Sequence, residues 1–401
     1  MKYRISSEDS NPPAQPADEP LGLDPRVLQR LQNRLGVRLT AGNRMRLLRD
    51  GAEAYPAMLE AIAGAKERIL FETYILRHDH TGVQFFDALL TKLREGVEVY
   101  CLYDAFGSLE AYDLFDELAG RGAHCLPVNP AYVLRFLKRW RNRDHRKILV
   151  VDGDAGFMGG INIGDEYIEK GASLPFRDTH VEFRGPVVRQ LESAFLDLWA
   201  DQSGMDAPPP TLRSARKEGA SRALAVCERF RVPRPALKSL FLTVFGRAQK
   251  RLWLTNSYFV PDRRLRREIL RAALRGVDVR LILPSISDVP WVRWASRAIY
   301  PKLLNAGVRV FEYQPRVLHA KTLVMDERWA LVGSTNLDHV SFQHNIESQA
   351  LVLDTRAAQD LAAMFEQDLA ESKEITWKDW AAWPLLAKLW YRFFHLFADV
   401  F

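Results

Sequence analysis

Two stretches of the chain follow the same plan, and duplication constrains a fold more than any other feature this sequence carries. ERILFETYILRHD and FFDALLTKLREGVEVYCLYD in the first half match KRLWLTNSYFVPD and LRREILRAALRGVDVRLILPS in the second, so Tyr74 answers to Tyr258 and Gly96 to Gly276. Each unit reads as a strand, an amphipathic helix, a Gly-Val turn and a second strand. AGRGAHCLPVNP and NAGVRVFEYQP supply a third strand, with Gly122 answering to Gly307. HRKILVVDGDAGFMGGINIG and HAKTLVMDERWALVGSTNLD make a fourth pair. Strands alternating with helices imply right-handed crossovers and a mostly parallel sheet covered on both faces. The expected fold is therefore α/β, with two duplicated halves at residues 21–199 and 223–374. Residues 200–222, rich in Pro, Ser and charge, read as the linker between them. Residues 1–20 read as a disordered, solvated tail.

Composition narrows the function classes. Hydrophobic residues at 47% and charged residues at 26% allow a sizeable core and exclude low-complexity chains. MKYRISSEDSNPPAQPADEP has no apolar stretch after its first charges, so it reads as neither signal peptide nor anchor. No apolar run approaches the ~20 residues that cross a bilayer. Cys101, Cys125 and Cys227 lack CxxC spacing and read as core thiols of a reducing compartment. The net charge of +6 favours an anionic partner, either a phosphate ester or an acidic membrane.

The fourth pair carries the chemistry. His145, Lys147 and Asp152 are spaced HxKxxxxD ahead of Gly159, Gly160 and Asn162, and His319, Lys321 and Asp326 repeat the spacing ahead of Gly333, Ser334 and Asn336. Residues two apart on a strand share a face, so each His projects with its Lys. One copy is a weak signal; two copies, each followed by a Gly-containing turn and an Asn, are strong. Phosphodiester exchange needs a nucleophile, an acid for the leaving alkoxide and cations for the phosphoryl oxygens. Two His and two Lys supply all three. One imidazole attacks phosphorus; the other, protonated, serves the leaving oxygen and then deprotonates the incoming alcohol. Lys147, Lys321, Asn162 and Asn336 are expected to hold the non-bridging oxygens. No cluster with metal-ligand spacing appears, so no metal and no cofactor is expected.

A nucleophilic imidazole is usually held in one tautomer by a carboxylate. Asp178 and Glu347, each beginning the strand after its Asn, are the candidates for orienting the histidines. Asp152 and Asp326 complete the signature but read as turn-closing residues. Glu72, Tyr74, Tyr258, Asp104 and Ser108 follow strand ends, where α/β sites gather, and read equally as turn or core residues. The other histidines, His78, His80, His124, His180, His339, His344 and His395, have no duplicated partner in the signature and read as surface or packing groups.

These paired motifs resemble the phospholipase D superfamily, whose signature is HxKxxxxDxxxxxxGSxN in two copies. The likeness runs from about Asn43 to about Asp354 and departs where Gly160 stands for the usual Ser, a hydroxyl near the phosphate that Ser334 keeps in the second copy. The resemblance makes all six signature residues a catalytic set, favours His145 as nucleophile, and implies one active site shared at the interface of two phospholipase D-like halves. Within the superfamily, GNRMRLLRDGAEAYPAMLEAI, FETYIL, YDAFGS, NSYFVPD and GSTNLDHVSF are similar to bacterial cardiolipin synthases, in particular the B type without N-terminal transmembrane helices. That likeness implies a phosphatidyltransferase that makes cardiolipin through a phosphohistidine intermediate, with phosphatidylglycerol or phosphatidylethanolamine as phospholipid substrate. A hydrolytic phospholipase D is the alternative, and a nuclease of the same superfamily a weaker one.

Two segments bear on the partner. Twenty-three positions separate Gly122 from His145, against 12 between Gly307 and His319, so the first half carries 11 extra residues just before its catalytic strand. The lengthened stretch contains AYVLRFLKRWRNR, in which Arg135, Lys138, Arg139, Arg141 and Arg143 interleave with Tyr132, Phe136 and Trp140 and no acid occurs. This suits an anionic membrane surface or a nucleic-acid backbone. Residues 375–401, with Trp377, Trp380, Trp383, Trp390 and four Phe among Lys and Arg, are too polar to span a bilayer and too aromatic for water. An amphipathic membrane-associating tail is expected, with Trp383 and Trp390 in contact with lipid and docking on the protein's own core as the alternative. The tail argues against nucleic acid and for a peripheral protein on the cytoplasmic face of a bacterial cell membrane.

Overall fold

The computed structural model describes residues 24–129, 142–169, 174–211, 216–230 and 236–397. The first half contributes β1 (Thr40–Arg49), β2 (Arg68–Thr73), β3 (Glu98–Asp104), β4 (His124–Val128), β5 (Ile148–Val151), β6 (Ala155–Gly159) and β7 (Thr179–Arg184). The second contributes β8 (Ser221–Cys227), β9 (Arg251–Asn256), β10 (Asp278–Pro284), β11 (Arg309–Tyr313), β12 (Lys321–Met325), β13 (Trp329–Gly333), β14 (Ser348–Leu353) and β15 (Ser372–Ile375). They form one sheet in the order β15-β11-β10-β9-β12-β13-β14-β8-β1-β7-β6-β5-β2-β3-β4. Read outward from the β1–β8 junction, the two sides run through the same series as far as β4 and β11, which is the duplication expressed as topology, and β15 is added beyond β11 in the second half alone.

The sheet is mixed, which corrects the expectation of mostly parallel halves. Only β2, β3 and β4, and their counterparts β9, β10 and β11, run parallel; all other neighbours are antiparallel. The cause is local. Asp152 and Gly153 both adopt positive φ, at 52° and 68°, and turn β5 straight back into β6. A turn that tight leaves no room for a crossover helix, so the pairing must be antiparallel.

Equivalent helices repeat the same local chemistry. Asp79 caps the helix His80–Arg94 by accepting from Gly82 N–H at 2.9 Å, and Asp262 caps Arg263–Leu274 by accepting from Arg264 N–H at 2.7 Å and Leu265 N–H at 3.0 Å. A cap of this kind is worth about 1 kcal/mol. Phe85, Leu89, Leu265 and Ile269 fall on the buried faces of these helices, each in its own half's core. A third core is common to both halves. It joins Met158, Val181 and Phe183 to Val332, Ala350 and Val352, together with the helices Val188–Ser203 and Thr355–Ala370. Along β5, Ile148 and Val150 enter this common core while Leu149 and Val151 enter the first half's own. The stretch read as a linker carries the end of the helix Val188–Ser203 and the start of β8, and between them Pro209 O accepts from Arg68 Nη1 at 2.6 Å. Residues 1–20 lie outside the described residues.

Candidate active site

The two signature histidines sit just ahead of β5 and β12, where the approach to each strand is stitched to the opposite half. His145 N–H donates to Ile346 O at 3.0 Å, and His319 N–H donates to Arg177 O at 2.8 Å. The residues that follow those acceptors are Glu347 and Asp178. His145 Nδ1 therefore lies 2.9 Å from Glu347 Oε2, and His319 Nδ1 lies 2.6 Å from Asp178 Oδ2. Each histidine is held by the other half's carboxylate, so neither dyad exists in one half alone.

Both lysines fold back toward their histidines. Lys147 Nζ donates to His145 O at 2.8 Å and lies 4.8 Å from the centre of the Tyr74 ring; Lys321 Nζ donates to His319 O. Tyr74 and Tyr258 set ring edges against His145 and His319, with centroids 4.9 Å and 6.4 Å apart. Of the strand-end residues weighed from sequence, these two belong to the site. Asp104 and Ser108 make turn hydrogen bonds, and Glu72 binds Arg146 through both carboxylate oxygens in a fully buried pair. Removing one partner of such a pair typically costs about 3–5 kcal/mol.

Burial sets the electrostatics, and the two dyads differ. Desolvation holds His145 well below the ordinary imidazole range, and the charges of Lys147, Lys321 and His319 push the same way. Desolvation pushes Glu347 up to about 7, against the pull of Ser334, Lys147 and Ser341. At Asp178 burial acts upward too, but Lys321 and His319 outweigh it and hold the carboxyl below its usual value. Lys147 is drawn down to about 7 by burial, and Lys321 is lowered for the same reason. A bound phosphate dianion or diester would favour the charged form of both.

The remaining candidates divide. Asn162 Nδ2 donates to the Tyr167 hydroxyl at 2.9 Å, which stands 3.2 Å from His319 Nδ1; Asn336 Oδ1 accepts from Ser257 Oγ at 2.7 Å. Ser334, expected at the phosphate, instead gives its buried hydroxyl to Glu347, because its side chain points toward that carboxylate. At Gly160, a Cβ would meet Asp178 Oδ1 at 2.3 Å, so the missing Ser makes room for the shorter acid. Asp152 and Asp326 are not part of the site, a correction to their place in the catalytic set. Asp152 accepts from the N–H groups of Lys66, Glu67 and Arg68, and Asp326 from those of Gln249, Lys250 and Arg251. Each acid ties the end of its hairpin strand to the start of β2 or β9. Sequence reasoning missed Tyr167, Ser257 and Ser341, whose hydroxyls complete the site.

Arg135, Lys138, Arg139, Trp140 and Arg141 lie outside the described residues. Trp383 packs inward on Tyr300, Tyr391 and Arg297, which corrects its assignment to lipid contact. Trp390 is half-exposed and touches Trp294. Among the described residues no group of three or more His, Cys, Asp or Glu is placed to hold a metal ion, and no helix is long and apolar enough to cross a membrane.

Two histidine–carboxylate dyads with two lysines between duplicated half-sheets define a phospholipase D-type site. The fold matches phosphatidylserine synthase from Haemophilus influenzae with a TM-score of 0.71 at 17% identity, covering 93% of this chain and 98% of that one. Residues 241–369 match the family model described as cardiolipin synthase, PLD-like domain. Cardiolipin synthase 2 of Bacillus anthracis is 36% identical over 355 residues, 87% of this chain and 69% of its own. Cardiolipin synthase A of Pseudomonas aeruginosa PAO1 is 39% identical over 345 residues, 84% and 69%. The chain belongs to the cardiolipin synthase family, phosphatidyltransferases of the phospholipase D superfamily.

Proposed function

We propose that the protein makes cardiolipin from phosphatidylglycerol, or a related phospholipid donor, through a phosphohistidine on His145. The observation that carries this is the exchanged pair of dyads. His145, whose neutral form burial favours, donates its Nδ1–H to Glu347 and leaves Nε2 free to attack phosphorus. His319, hydrogen-bonded through Nδ1 to Asp178, protonates the departing glycerol oxygen as the P–O bond breaks and the P–Nε2 bond forms. In the second step His319 takes the proton of the incoming hydroxyl, whose oxygen displaces His145. Lys147 and Lys321 neutralise the non-bridging oxygens, with Asn162 and Asn336 beside them, so none of these steps calls on a metal ion. Incubation with phosphatidylglycerol vesicles is expected to yield cardiolipin and glycerol in near-equal amounts, at the same rate with EDTA. Phosphatidic acid as the main product would make the enzyme a hydrolase instead.

The partner surface is an anionic membrane, and the C-terminal helix Leu385–His395 is the contact. Its inner side packs on the helix Pro290–Arg297: Trp294 meets Phe394 at 5.0 Å, and Arg297 donates to the Tyr391 hydroxyl at 3.1 Å. Its outer side leaves Leu385, Leu386 and Leu396 at 73%, 79% and 81% exposure, with Leu389 and Phe393 between them. This spacing is one helical face, and an apolar stripe so open marks an interaction surface. Lys388 and Arg392 flank it, complementary to acidic head groups. Val260, Val289 and Val292 join Phe394 to Tyr258, so the helix is continuous with the wall of the site. Both readings of the tail therefore apply, each to a different face. Changing Leu386, Leu389, Phe393 and Leu396 to Gln is expected to reduce vesicle binding at low and high salt alike, since apolar insertion is not screened, and to leave the melting temperature within a few degrees. Undiminished binding would move the contact elsewhere.

A further inference from the structure

The parallel strands of each half end at the edge of the sheet where its histidine enters. β2 and β3 run side by side, and β5, antiparallel to β2, sets Ile148 opposite Glu72, so His145 comes in beside the ends of both. β9, β10 and β12 repeat this around His319. The loops that follow β3 and β10 therefore flank the cleft on its two outer sides. Each is fastened to the tyrosine of its own half. Ser108, four residues past β3, donates its hydroxyl to Tyr74 O at 3.1 Å, and Asp288, four past β10, accepts from the Tyr258 hydroxyl at 2.6 Å. Both loops turn large apolar side chains to solvent. Phe106 and Ile286, each two residues past its strand, are 49% and 46% exposed, and Leu109 and Trp291 beyond them are 64% and 45% exposed. Phe106 stays this open although the Arg143 guanidinium stands 4.9 Å from its ring centre.

We propose that these loops seat the two phospholipids that react: Phe106 and Leu109 take the acyl-bearing end of the donor, and Ile286 and Trp291 that of the acceptor. This deepens the transfer reading and rests on it. Joining two phosphatidyl groups brings two pairs of acyl chains to one cleft, and a cleft with two equivalent apolar flanks has a place for each pair. The loops stand two strands out from the histidines, about 10 Å at the spacing of neighbouring strands. A lipid whose phosphate lies between the histidines carries its ester-linked chains out to that distance. Apolar side chains left open together at the rim of a polar site mark such a contact. The second flank is also continuous with the surface assigned to the membrane. Trp291 shares a side of the helix Pro290–Arg297 with Trp294, which meets Trp390 and Phe394 of the C-terminal helix at 6.0 and 5.0 Å.

The chemistry assigns the sides. His319 protonates the departing glycerol oxygen and later takes the proton of the incoming hydroxyl, so the acceptor oxygen enters where the glycerol oxygen left, opposite His145. The acceptor lipid then extends over the second half, toward Ile286 and Trp291. The diacylglyceryl group of the donor stays on phosphorus through both steps and lies over the first half, on Phe106 and Leu109.

The test is a competition on phosphatidylglycerol vesicles containing 1-butanol, read as the ratio of cardiolipin to phosphatidylbutanol. Both products draw on the same donor, and butanol has no acyl chains, so only the acceptor's seat moves the ratio. Ile286→Ser combined with Trp291→Ser is expected to lower it about tenfold, the loss of part of the burial of two apolar side chains. Phe106→Ser combined with Leu109→Ser is expected to lower both products together and leave the ratio unchanged. A ratio that does not fall in the first double variant, or falls as far in the second, overturns the proposal; parallel loss of both products in both variants is one such result and makes the loops a general membrane contact. Should a variant fail to fold, the wild-type protein decides with acceptors in solution. Dihexanoyl phosphatidylglycerol must outcompete its deacylated form, and equal use of the two overturns the proposal. Phosphatidic acid as the sole product with wild type would instead sink the transfer reading itself.

Discussion

Replacing either His145 or His319 with alanine is expected to remove nearly all turnover, by at least about 10²–10⁴-fold, because each supplies a step the other cannot perform alone. The two losses should not add: the double variant should be about as inactive as either single one, since a nucleophile without its acid is already disabled. The exchanged dyads sharpen this. Nδ1 of His145 is engaged by Glu347 and that of His319 by Asp178, so neither imidazole is free to rotate and replace its twin. Mass spectrometry of enzyme quenched during turnover should find a phosphatidyl adduct on His145 that accumulates when His319 is alanine and a donor with a good leaving group is supplied. An adduct on His319 would reverse the assignment, and substantial turnover in either single variant would dissolve the shared site altogether.

How much of this was legible in the chain depended on whether a feature was duplicated. His145, Lys147, His319 and Lys321 stood out because the same spacing occurs twice, and Asp178 and Glu347 because they occupy the same place after it. That each acid serves the opposite histidine was not legible. Within either half the separations are alike, and only the meeting of Ile346 with His145 and of Arg177 with His319 exchanges them. Tyr167 and Ser341 each stand five residues after the duplicated Asn, but they differ in residue type, so the repeat did not mark them out from ordinary loop residues. The antiparallel part of the sheet had a signal that went unread: Asp152-Gly153 between two apolar runs is a hairpin turn, whereas the strand–helix rhythm of the earlier units suggested another crossover. In the tail, aromatic content pointed to Trp383 as the lipid contact, but Trp383 lies in the turn between the helices Trp377–Ala382 and Leu385–His395 and packs inward on Tyr300 and Tyr391, while the second helix turns its leucines out.

Glu347→Gln tests the charge arrangement that distinguishes the two halves. With burial pushing Glu347 up to about 7 and His145 far down, the dyad takes up its extra proton as a unit when the pH falls through the neutral range. The fully deprotonated dyad keeps Nδ1–H donated to a carboxylate and a lone pair on Nε2. Adding a proton either charges the imidazole or places O–H against Nδ1, which forces the hydrogen onto Nε2; both block attack. The acid limb of activity should therefore have an apparent pKa near 7, and loss of the Lys147 proton, drawn down to about 7 by burial, should oppose it on the alkaline side. Asp178 adds no limb in that range, because Lys321 and His319 outweigh its burial and hold it ionised. Glutamine cannot titrate, so the acid limb should disappear from kcat/KM in Glu347→Gln, and its amide can present N–H to Nδ1 and favour the wrong tautomer. The residual rate is expected to be about 10²–10⁴-fold lower and flat across that limb. An acid limb that survives in Glu347→Gln would mean that another group gates the nucleophile, and a limb abolished by Asp178→Asn instead would exchange the roles of the two histidines.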